Sequence, residues 1–280
     1  MIAATFEYRC PRTLEDAVGL LARHGEGAKV LGGGHSLLPA MKLRLAQPAV
    51  LVDIGRIAEL RGIREEAGRI VVGATATHRE IESSDLLQRG CPLLPEVAGN
   101  IGDMQVRNRG TIGGSLAHGD PAADWPAAVL ALEAEIEVVG AGGKRTIAAK
   151  SFFLDLFKTA LRPGEIIAAV RVPVTAKTVA YEKFAQKASG FAICGVAVVI
   201  EPNAARVAIT GVGSTAYRAS AVESAFRRNF SASGIPAAAE KAAQGVEALS
   251  DLHASAQYRA HLARVLARRA LQRAWRGAGQ

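Results

Sequence analysis

Cysteine is scarce in this 280-residue chain, and its three thiols, Cys10, Cys91 and Cys194, lie far apart with no CxxC pair. A zinc site or an iron–sulfur cluster held by thiolates alone requires four cysteines. The chain by itself therefore builds neither centre, and we expect reduced thiols in cores or loops. No other metal site is predicted, because His35 and His118 have no second histidine or cysteine at i+3 or i+4.

Long apolar runs and aromatic residues are also rare. The longest apolar run, residues 191–200, is about half of the roughly 20 residues that a membrane-spanning helix needs. Residues 1–7 lack a basic stretch followed by an apolar core, so we expect no signal peptide and a cytoplasmic protein. The net charge of +8 would suit nucleic acid, but aromatics are only 5% and acids are interspersed. The one concentrated basic stretch, residues 259–276, fits an acidic protein partner as well as DNA.

The chain does contain two short glycine-rich segments. The first glycine segment is Gly32-Gly33-Gly34-His35-Ser36, and the second is Thr111-Ile112-Gly113-Gly114-Ser115. Adjacent glycines lack the Cβ atoms that hold backbones apart, so successive N–H groups can turn towards an anion. Neither segment matches a Walker A or GxGxxG motif, and each alone also fits a plain turn. Together they indicate two cradles for one elongated, doubly charged ligand, such as the diphosphate of a dinucleotide.

The side chains around these segments leave more than one role open. Asp124 fits either a helix cap or an acceptor for the hydroxyl groups of a sugar. The run Arg107–Arg109 fits a phosphate-steering site, a site for a partner's carboxylates or an ordinary surface loop. His78, with two nearby glutamates, is expected on a solvated helix face. No GxSxG nucleophile turn occurs around a serine, so no catalytic residue and no hydrolase chemistry are predicted.

The hydrophobic periodicity predicts an α+β protein in consecutive parts. A β-α-β unit with Thr13 as helix N-cap comes first, and hairpins and helices follow it. After a linker at 173–178, the pattern predicts strands at 179–184, 192–200 and 205–212 and helices at 219–229, 236–249 and 254–276.

Four ordered blocks, spanning essentially the whole chain, resemble the flavin-binding medium subunits of aerobic carbon monoxide dehydrogenase and its xanthine dehydrogenase relatives. These blocks are residues 28–39 with 51–54, 105–118 with 120–124, 161–167 and 183–192. The resemblance implies an α+β fold with a vanillyl-alcohol-oxidase (PCMH)-type FAD-binding domain of two α/β subdomains. A C-terminal α+β domain of the carbon monoxide dehydrogenase flavoprotein type, with a three-stranded sheet and helices, would follow. The implied units are a small FAD-binding subdomain at 1–57, a larger one at 58–175 and the C-terminal domain at 176–280.

The resemblance also implies FAD, bound non-covalently. Residues 32–37 and 110–115 would wrap its diphosphate through backbone N–H groups, and Asp124 would hold a hydroxyl of the ribose or the ribityl chain. Near the isoalloxazine ring the resemblance places Ile101, Gly102 and Leu161, with Lys187 at its polar edge. The complete set implied to bind FAD is Leu31, Gly32, Gly33, Gly34, His35, Ser36, Leu37, Ile101, Gly102, Gly110, Thr111, Ile112, Gly113, Gly114, Ser115, Ala117, Asp124, Leu161 and Lys187.

Such a subunit does not itself hydroxylate substrate. In the implied complex a molybdopterin large subunit oxidises the substrate and an iron–sulfur small subunit carries electrons through two [2Fe–2S] clusters. FAD in the medium subunit then passes the electrons to a terminal acceptor. The implied assembly is a dimer of heterotrimers without nucleic acid. The alternatives are a stand-alone FAD-dependent oxidoreductase of the same fold superfamily, a subunit that has lost its flavin, and a basic nucleic-acid module.

Overall fold

Three sheets follow one another along the chain, and each begins and ends before the next one starts, apart from a two-stranded hairpin. The structure, a computed structural model, describes residues 2–175 and 178–277. Two positions of the predicted linker, 176 and 177, lie outside the described residues, and so does the predicted domain boundary between 175 and 176.

The first part is a parallel three-stranded sheet in the order β1-β3-β2. As predicted, Thr13 caps the first helix by accepting the N–H of Asp16 at 3.1 Å. The carboxyl ends of parallel strands lie at the same edge of a sheet. The chain therefore leaves β2 and β3 at one edge, and α2 begins there. The elements are β1 (Glu7–Arg9), α1 (Leu14–His24), β2 (Ala28–Leu31), α2 (Leu37–Lys42) and β3 (Val50–Asp53).

The second part is an antiparallel five-stranded sheet in the order β4-β5-β10-β6-β7. Six short helices lie between β5 and β6 in sequence, and apolar side chains of all of them except α6 pack into the core of this sheet around the fully buried Trp125. The elements are β4 (Ile63–Glu66), β5 (Arg69–Gly73), α3 (His78–Glu82), α4 (Asp85–Gly90), α5 (Leu93–Gly99), α6 (Met104–Arg109), α7 (Ile112–His118), α8 (Trp125–Ala131), β6 (Glu135–Gly140), β7 (Gly143–Ala148), β8 (Phe153–Asp155), β9 (Lys158–Thr159) and β10 (Ile166–Pro173).

The third part is an antiparallel four-stranded sheet in the order β11-β12-β13-β14. Three of its strands were predicted, and the two-residue β14 adds a fourth. The predicted helix at 236–249 is wrong in extent, because α10 ends at Ala239 and turns follow it. The elements are β11 (Val179–Ala185), β12 (Ala192–Glu201), β13 (Ala204–Thr210), β14 (Tyr217–Arg218), α9 (Ser220–Arg228), α10 (Ile235–Ala239) and α11 (Ala256–Gly277).

Strand β12 is buried on both faces, which ties the third part to the second. Alternate side chains of a strand point to opposite faces. Ala197 and Val199 belong to the core of the second part, whereas Val196 and Val198 belong to the core under α11. The continuous apolar run at 192–200 therefore reflects two covered faces, and the C-terminal sheet is a middle layer of the molecule.

Two of the three cysteines are buried. Cys10, Cys91 and Cys194 are all free thiols. Burial raises the pKa of both Cys91 and Cys194 to about 12. None of the described helices combines the length and the apolar character that crossing a bilayer requires.

A buried arginine fastens α11 to the third sheet, and we expect Arg259→Met to destabilise the fold by several kcal/mol. Its guanidinium donates to the carbonyls of Ile193 at 2.8 Å and Gly211 at 2.6 Å. Each buried carbonyl left unpaired costs about 1–3 kcal/mol. Urea unfolding measures the loss, and Arg268→Met on the exposed side of the same helix, with an expected change within about 0.5 kcal/mol, is the control. Equal unfolding midpoints for the two variants would contradict the assignment.

The same arginine also gives the fold an acid-sensitive contact. Burial raises the pKa of Asp251, but the Arg259 guanidinium and the N–H groups of His253 and Ala254 outweigh it and hold that pKa at about 2. A depressed folded-state pKa stabilises the protein above the ordinary value of 3.8 and loses this effect as the pH falls towards 2. In Arg259→Met the acid-dependent loss of stability over this interval should be smaller than in the wild type.

Candidate functional site

The first glycine segment forms an open turn whose backbone donors are unused. Between β2 and α2, the N–H groups of residues 32–37 donate to no acceptor within residues 2–175 and 178–277. Backbone donors in folded proteins are normally paired. A run of successive unpaired N–H groups at a turn makes a concavity for an anion. The interpretation of this segment as an anion cradle therefore has a structural basis.

The second glycine segment differs from the expectation, because it is the start of a helix and uses most of its donors internally. Thr111 caps α7 by accepting the Gly114 N–H at 3.1 Å. The N–H groups of Ile112 and Gly113 donate to the carbonyls of Ala76 at 3.1 Å and Ala74 at 2.9 Å. Those of Gly110 and Ser115 are also bonded within the chain. Of the N–H groups at 110–115 that are predicted to wrap a diphosphate, only that of Thr111 donates to no acceptor within residues 2–175 and 178–277, and the contact itself stays a prediction.

The glycines of the second segment are explained by close packing. A Cβ on Gly113 would lie 2.6 Å from the Cβ of Ala74. Real side-chain carbons do not approach so closely, so only glycine lets the first turn of α7 rest on the end of β5.

The two glycine segments contact each other, as their pairing in the sequence suggested. A Cβ on Gly33 would lie 2.1 Å from the carbonyl oxygen of Arg109 and 2.7 Å from the Cα of Gly110. A Cβ on Gly32 would lie 3.1 Å from the Thr111 Oγ1. The first segment thus supplies the free donors, and the second supplies the wall against which they are held.

A second cluster of predicted residues surrounds the turn at Ile101 and Gly102. Arg107 donates to the carbonyls of these two residues at 3.1 and 3.3 Å, and it pairs with Glu82 at 3.1 Å. Of the roles left open for Arg107–Arg109, the structure gives Arg107 a structural one: it fixes this turn.

The loop that carries Lys187 packs against the same turn. A Cβ on Gly190, three residues after Lys187, would lie 3.1 Å from the Cα of Gly102. Ile101 and Leu161 both lie partly buried against the core of the second part. The structure therefore brings two distant stretches of chain together at this turn, and the Lys187 side chain is exposed.

Asp124 is buried and already paired. Its carboxylate accepts from the Lys183 Nζ at 2.8 Å and from the Tyr181 hydroxyl, and neither side chain of the ion pair is more than 5% exposed. It makes no helix-capping hydrogen bond, so the capping interpretation is wrong. Burial raises the pKa of the Asp124 carboxyl, and the Lys183 ammonium opposes that rise.

Sequence reasoning missed Lys183 and Tyr181, although a signal for them exists. They stand at i and i+2 on β11, so their side chains share one face of the strand. Two polar groups on the buried face of a strand need a buried partner, and Asp124 is that partner. Lys183 also donates to the Asn100 carbonyl at 2.9 Å, next to the Ile101 turn.

The three histidines of this region have different environments. The expectation of a solvated His78 is wrong: its side chain is buried and accepts the Trp125 indole N–H at 3.1 Å. Burial, followed by the charges of His35 and Arg107, lowers the pKa of His78 to about 4. The His35 ring is exposed, with Nδ1 3.1 Å from the Gly33 carbonyl, and His118 packs on the Phe157 ring with centroids 5.2 Å apart.

Two family models cover nearly the whole chain. Residues 4–175 match the model described as "FAD binding domain in molybdopterin dehydrogenase", and residues 179–274 match "CO dehydrogenase flavoprotein C-terminal domain".

Known proteins match over nearly their full lengths. The chain is 44% identical over 283 residues to the carbon monoxide dehydrogenase medium chain of Hydrogenophaga pseudoflava, covering 98% of this chain and 99% of that one. It is 36% identical over 270 residues to the nicotine 6-hydroxylase medium subunit of Paenarthrobacter nicotinovorans, covering 94% and 95%. The crystal structure of quinoline 2-oxidoreductase from Pseudomonas putida 86 matches with a TM-score of 0.95 at 32% identity, over 100% of both chains.

Proposed function

The chain belongs to the family of FAD-binding medium subunits of molybdenum hydroxylases, and from that membership we propose how it holds FAD and which partners it serves. As a member of the family it is the FAD-binding subunit of an oxidoreductase complex that contains molybdenum. The observation that carries the proposed binding mode is the row of free N–H groups at residues 32–37. A diphosphate carries two negative charges, and such a row of donors can bind it without any lysine or arginine.

The residues proposed to hold FAD form two groups. The first glycine segment with Leu31 and Leu37 binds the diphosphate through N–H groups, and the second segment contributes the Thr111 N–H, the wall at Gly110 and the exposed surface of α7. Ile101, Gly102, Leu161 and Lys187 are proposed to flank the ring, and the packing of Gly190, three residues after Lys187, on Gly102 supports this arrangement. The wider proposed set from the second segment and α7 comprises Thr111, Ile112, Gly113, Gly114, Ser115 and Ala117.

Asp124 is the member of the predicted set that this geometry supports least. Both of its oxygens are already engaged, Oδ2 by the Lys183 ammonium and Oδ1 by the Tyr181 hydroxyl, and the side chain is buried. We propose that it acts mainly by fixing Lys183 against the Asn100 carbonyl, which sets the position of the adjacent turn.

Bound FAD supplies a ring that accepts and releases one or two electrons. The chain's part is to hold the ring between the turn at Ile101 and the loop that carries Lys187, with no catalytic side chain of its own. We propose three domains, at 1–57, 58–175 and 176–280; the placement of the three large sheets within these ranges supports this division.

The proposed partners are an iron–sulfur small subunit and a molybdopterin large subunit, assembled as a dimer of heterotrimers in the cytoplasm. Full-length similarity to medium subunits of enzymes named for carbon monoxide and nicotine supports this proposal. Such different substrates beside similar medium subunits indicate that another subunit selects the substrate.

Purified protein, alone or with the subunits that accompany it, is expected to show the visible absorption of a flavin. Denaturation should release all of the flavin as FAD, because the proposed contacts are hydrogen bonds and packing. Absorption spectra recorded before and after acid precipitation measure how much flavin is released. Flavin that stays with the precipitated chain would contradict non-covalent binding, and oxidase turnover by the free chain would favour the stand-alone alternative.

A further inference from the structure

One histidine is buried where the two glycine segments meet. His78 is only 4% exposed, and as the first residue of α3 its backbone N–H donates to the Gly110 carbonyl at 2.9 Å. A Cβ on Gly110 would lie 2.6 Å from the His78 Nε2. The Cα of the same Gly110 is 2.7 Å from the Cβ position of Gly33. The Nε2 edge of the ring therefore lies beside the contact between the segments.

The tautomer of His78 is fixed by its neighbour. An indole N–H only donates, so the His78 Nδ1 that receives the Trp125 N–H at 3.1 Å must be the unprotonated ring nitrogen. The hydrogen of the neutral ring is then on Nε2. Within residues 2–175 and 178–277 the His78 side chain makes no hydrogen bond besides the one from Trp125. Nε2 is not among the fully buried side-chain atoms that lack a partner, so it keeps some exposure and can meet an external acceptor at this point.

From this geometry we propose that the His78 Nε2–H donates a hydrogen bond to the diphosphate of FAD. The inference rests on the proposed function and adds a side-chain donor to the backbone donors of residues 32–37. Trp125 is a positioning residue, because it acts on the diphosphate only through the His78 tautomer.

The surroundings keep this donor neutral at ordinary pH. The charged and titratable groups facing His78 are His35 from the first segment and Arg107 from α6, whose guanidinium is paired with Glu82. Burial, His35 and the Arg107 guanidinium all oppose a positive imidazolium at His78. The donor should therefore work unchanged across the physiological range.

The test compares two substitutions that each keep one half of the ring's hydrogen bonding. The side-chain amide of His78→Asn reaches the level of Nδ1 and can accept from Trp125, but it offers nothing at Nε2. The amide of His78→Gln reaches the level of Nε2 and keeps a donor there. We measure the Kd of FAD, ADP and riboflavin on flavin-free protein, together with unfolding temperatures.

His78→Asn is expected to weaken FAD and ADP about 10- to 100-fold, the effect of one hydrogen bond to a charged group, and to leave riboflavin unchanged. His78→Gln should recover most of the affinity. A Trp125→Phe variant frees Nδ1 but leaves burial, His35 and Arg107 in place, so its Kd for FAD should not change between about pH 8 and about pH 6, as in the wild type.

Three results would overturn the inference. His78→Asn could bind FAD and ADP as tightly as the wild type, riboflavin could weaken in parallel with FAD, or the two substitutions could have equal effects. A wild-type protein that binds no FAD under any condition would instead remove the proposed function. The failures of the two proposals are therefore distinguishable.

Discussion

Replacing Gly33 with alanine is expected to raise the Kd for FAD at least about 100-fold. The new Cβ would lie 2.1 Å from the Arg109 carbonyl oxygen, so the first glycine segment must move away from the second. That movement misplaces successive N–H groups, and two lost hydrogen bonds to a charged group amount to about 3–6 kcal/mol. Flavin content after purification and fluorescence titration of flavin-free protein measure the effect. The backbone strain should also lower unfolding stability, by about 1–3 kcal/mol.

Gly19→Ala is the matched control. Gly19 lies on the exposed side of α1 with nothing within 4 Å of its Cβ position, so the substitution should stabilise the helix by up to about 1 kcal/mol and leave FAD binding unchanged. If Gly33→Ala kept the wild-type affinity for FAD, the first segment could not be the diphosphate cradle. If both variants lost FAD equally, the effect would not be specific to the contact between the segments.

Lys183→Met is expected to lower the free energy of unfolding at neutral pH by about 3–5 kcal/mol, because the Asp124 carboxylate would remain buried without its cation. Burial already raises the pKa of Asp124, and losing the ammonium raises it further. A raised folded-state pKa stabilises the protein at low pH and loses this effect as the pH rises. The deficit of the variant should therefore shrink between about pH 7 and about pH 4, as measured by urea unfolding.

Two further variants test whether the lost stability comes from the ion pair of Asp124 and Lys183. The double variant Asp124→Asn with Lys183→Met removes both charges and should recover part of the loss, as buried pairs replaced together usually do. Lys187 lies only four residues after Lys183, but its side chain is exposed. Lys187→Met should therefore change the free energy of unfolding by no more than about 0.5 kcal/mol. A deficit in Lys183→Met that does not vary with pH would show that Asp124 is not the group left unpaired.

The local sequence pattern was enough to predict most of the helices and strands. Alternation and turn residues placed β11, β12 and β13 within a residue or two, and the Thr13 cap began α1 as expected. The helix predicted at 236–249 was too long, because alanine-rich composition favours a helix but does not fix its end. The short β14 carries too few residues to show an alternation of its own.

For the candidate site, too, the sequence predicted one part and the tertiary structure decided the rest. The paired glycines predicted two segments that serve one ligand, and the structure brings Gly33 of the first segment against Arg109, two residues before the second. The sequence did not show which segment keeps its N–H groups free, because this depends on whether the carbonyls of Ala74 and Ala76, just after β5, lie close enough to accept them. His78 was assigned to solvent because its helix carries charged neighbours, whereas Trp125, 47 residues away, decides its environment.

The sequence by itself determined the family, the order of the strands and helices, and the two places where only glycine fits, because these depend on residues near one another in the chain. The tertiary structure alone decided the burial of His78, the pairing of Asp124 with Lys183 and the internal use of the second segment's donors. Each of these needs the proximity of groups far apart in sequence, and burial then sets the cost of leaving a donor or a charge unpaired.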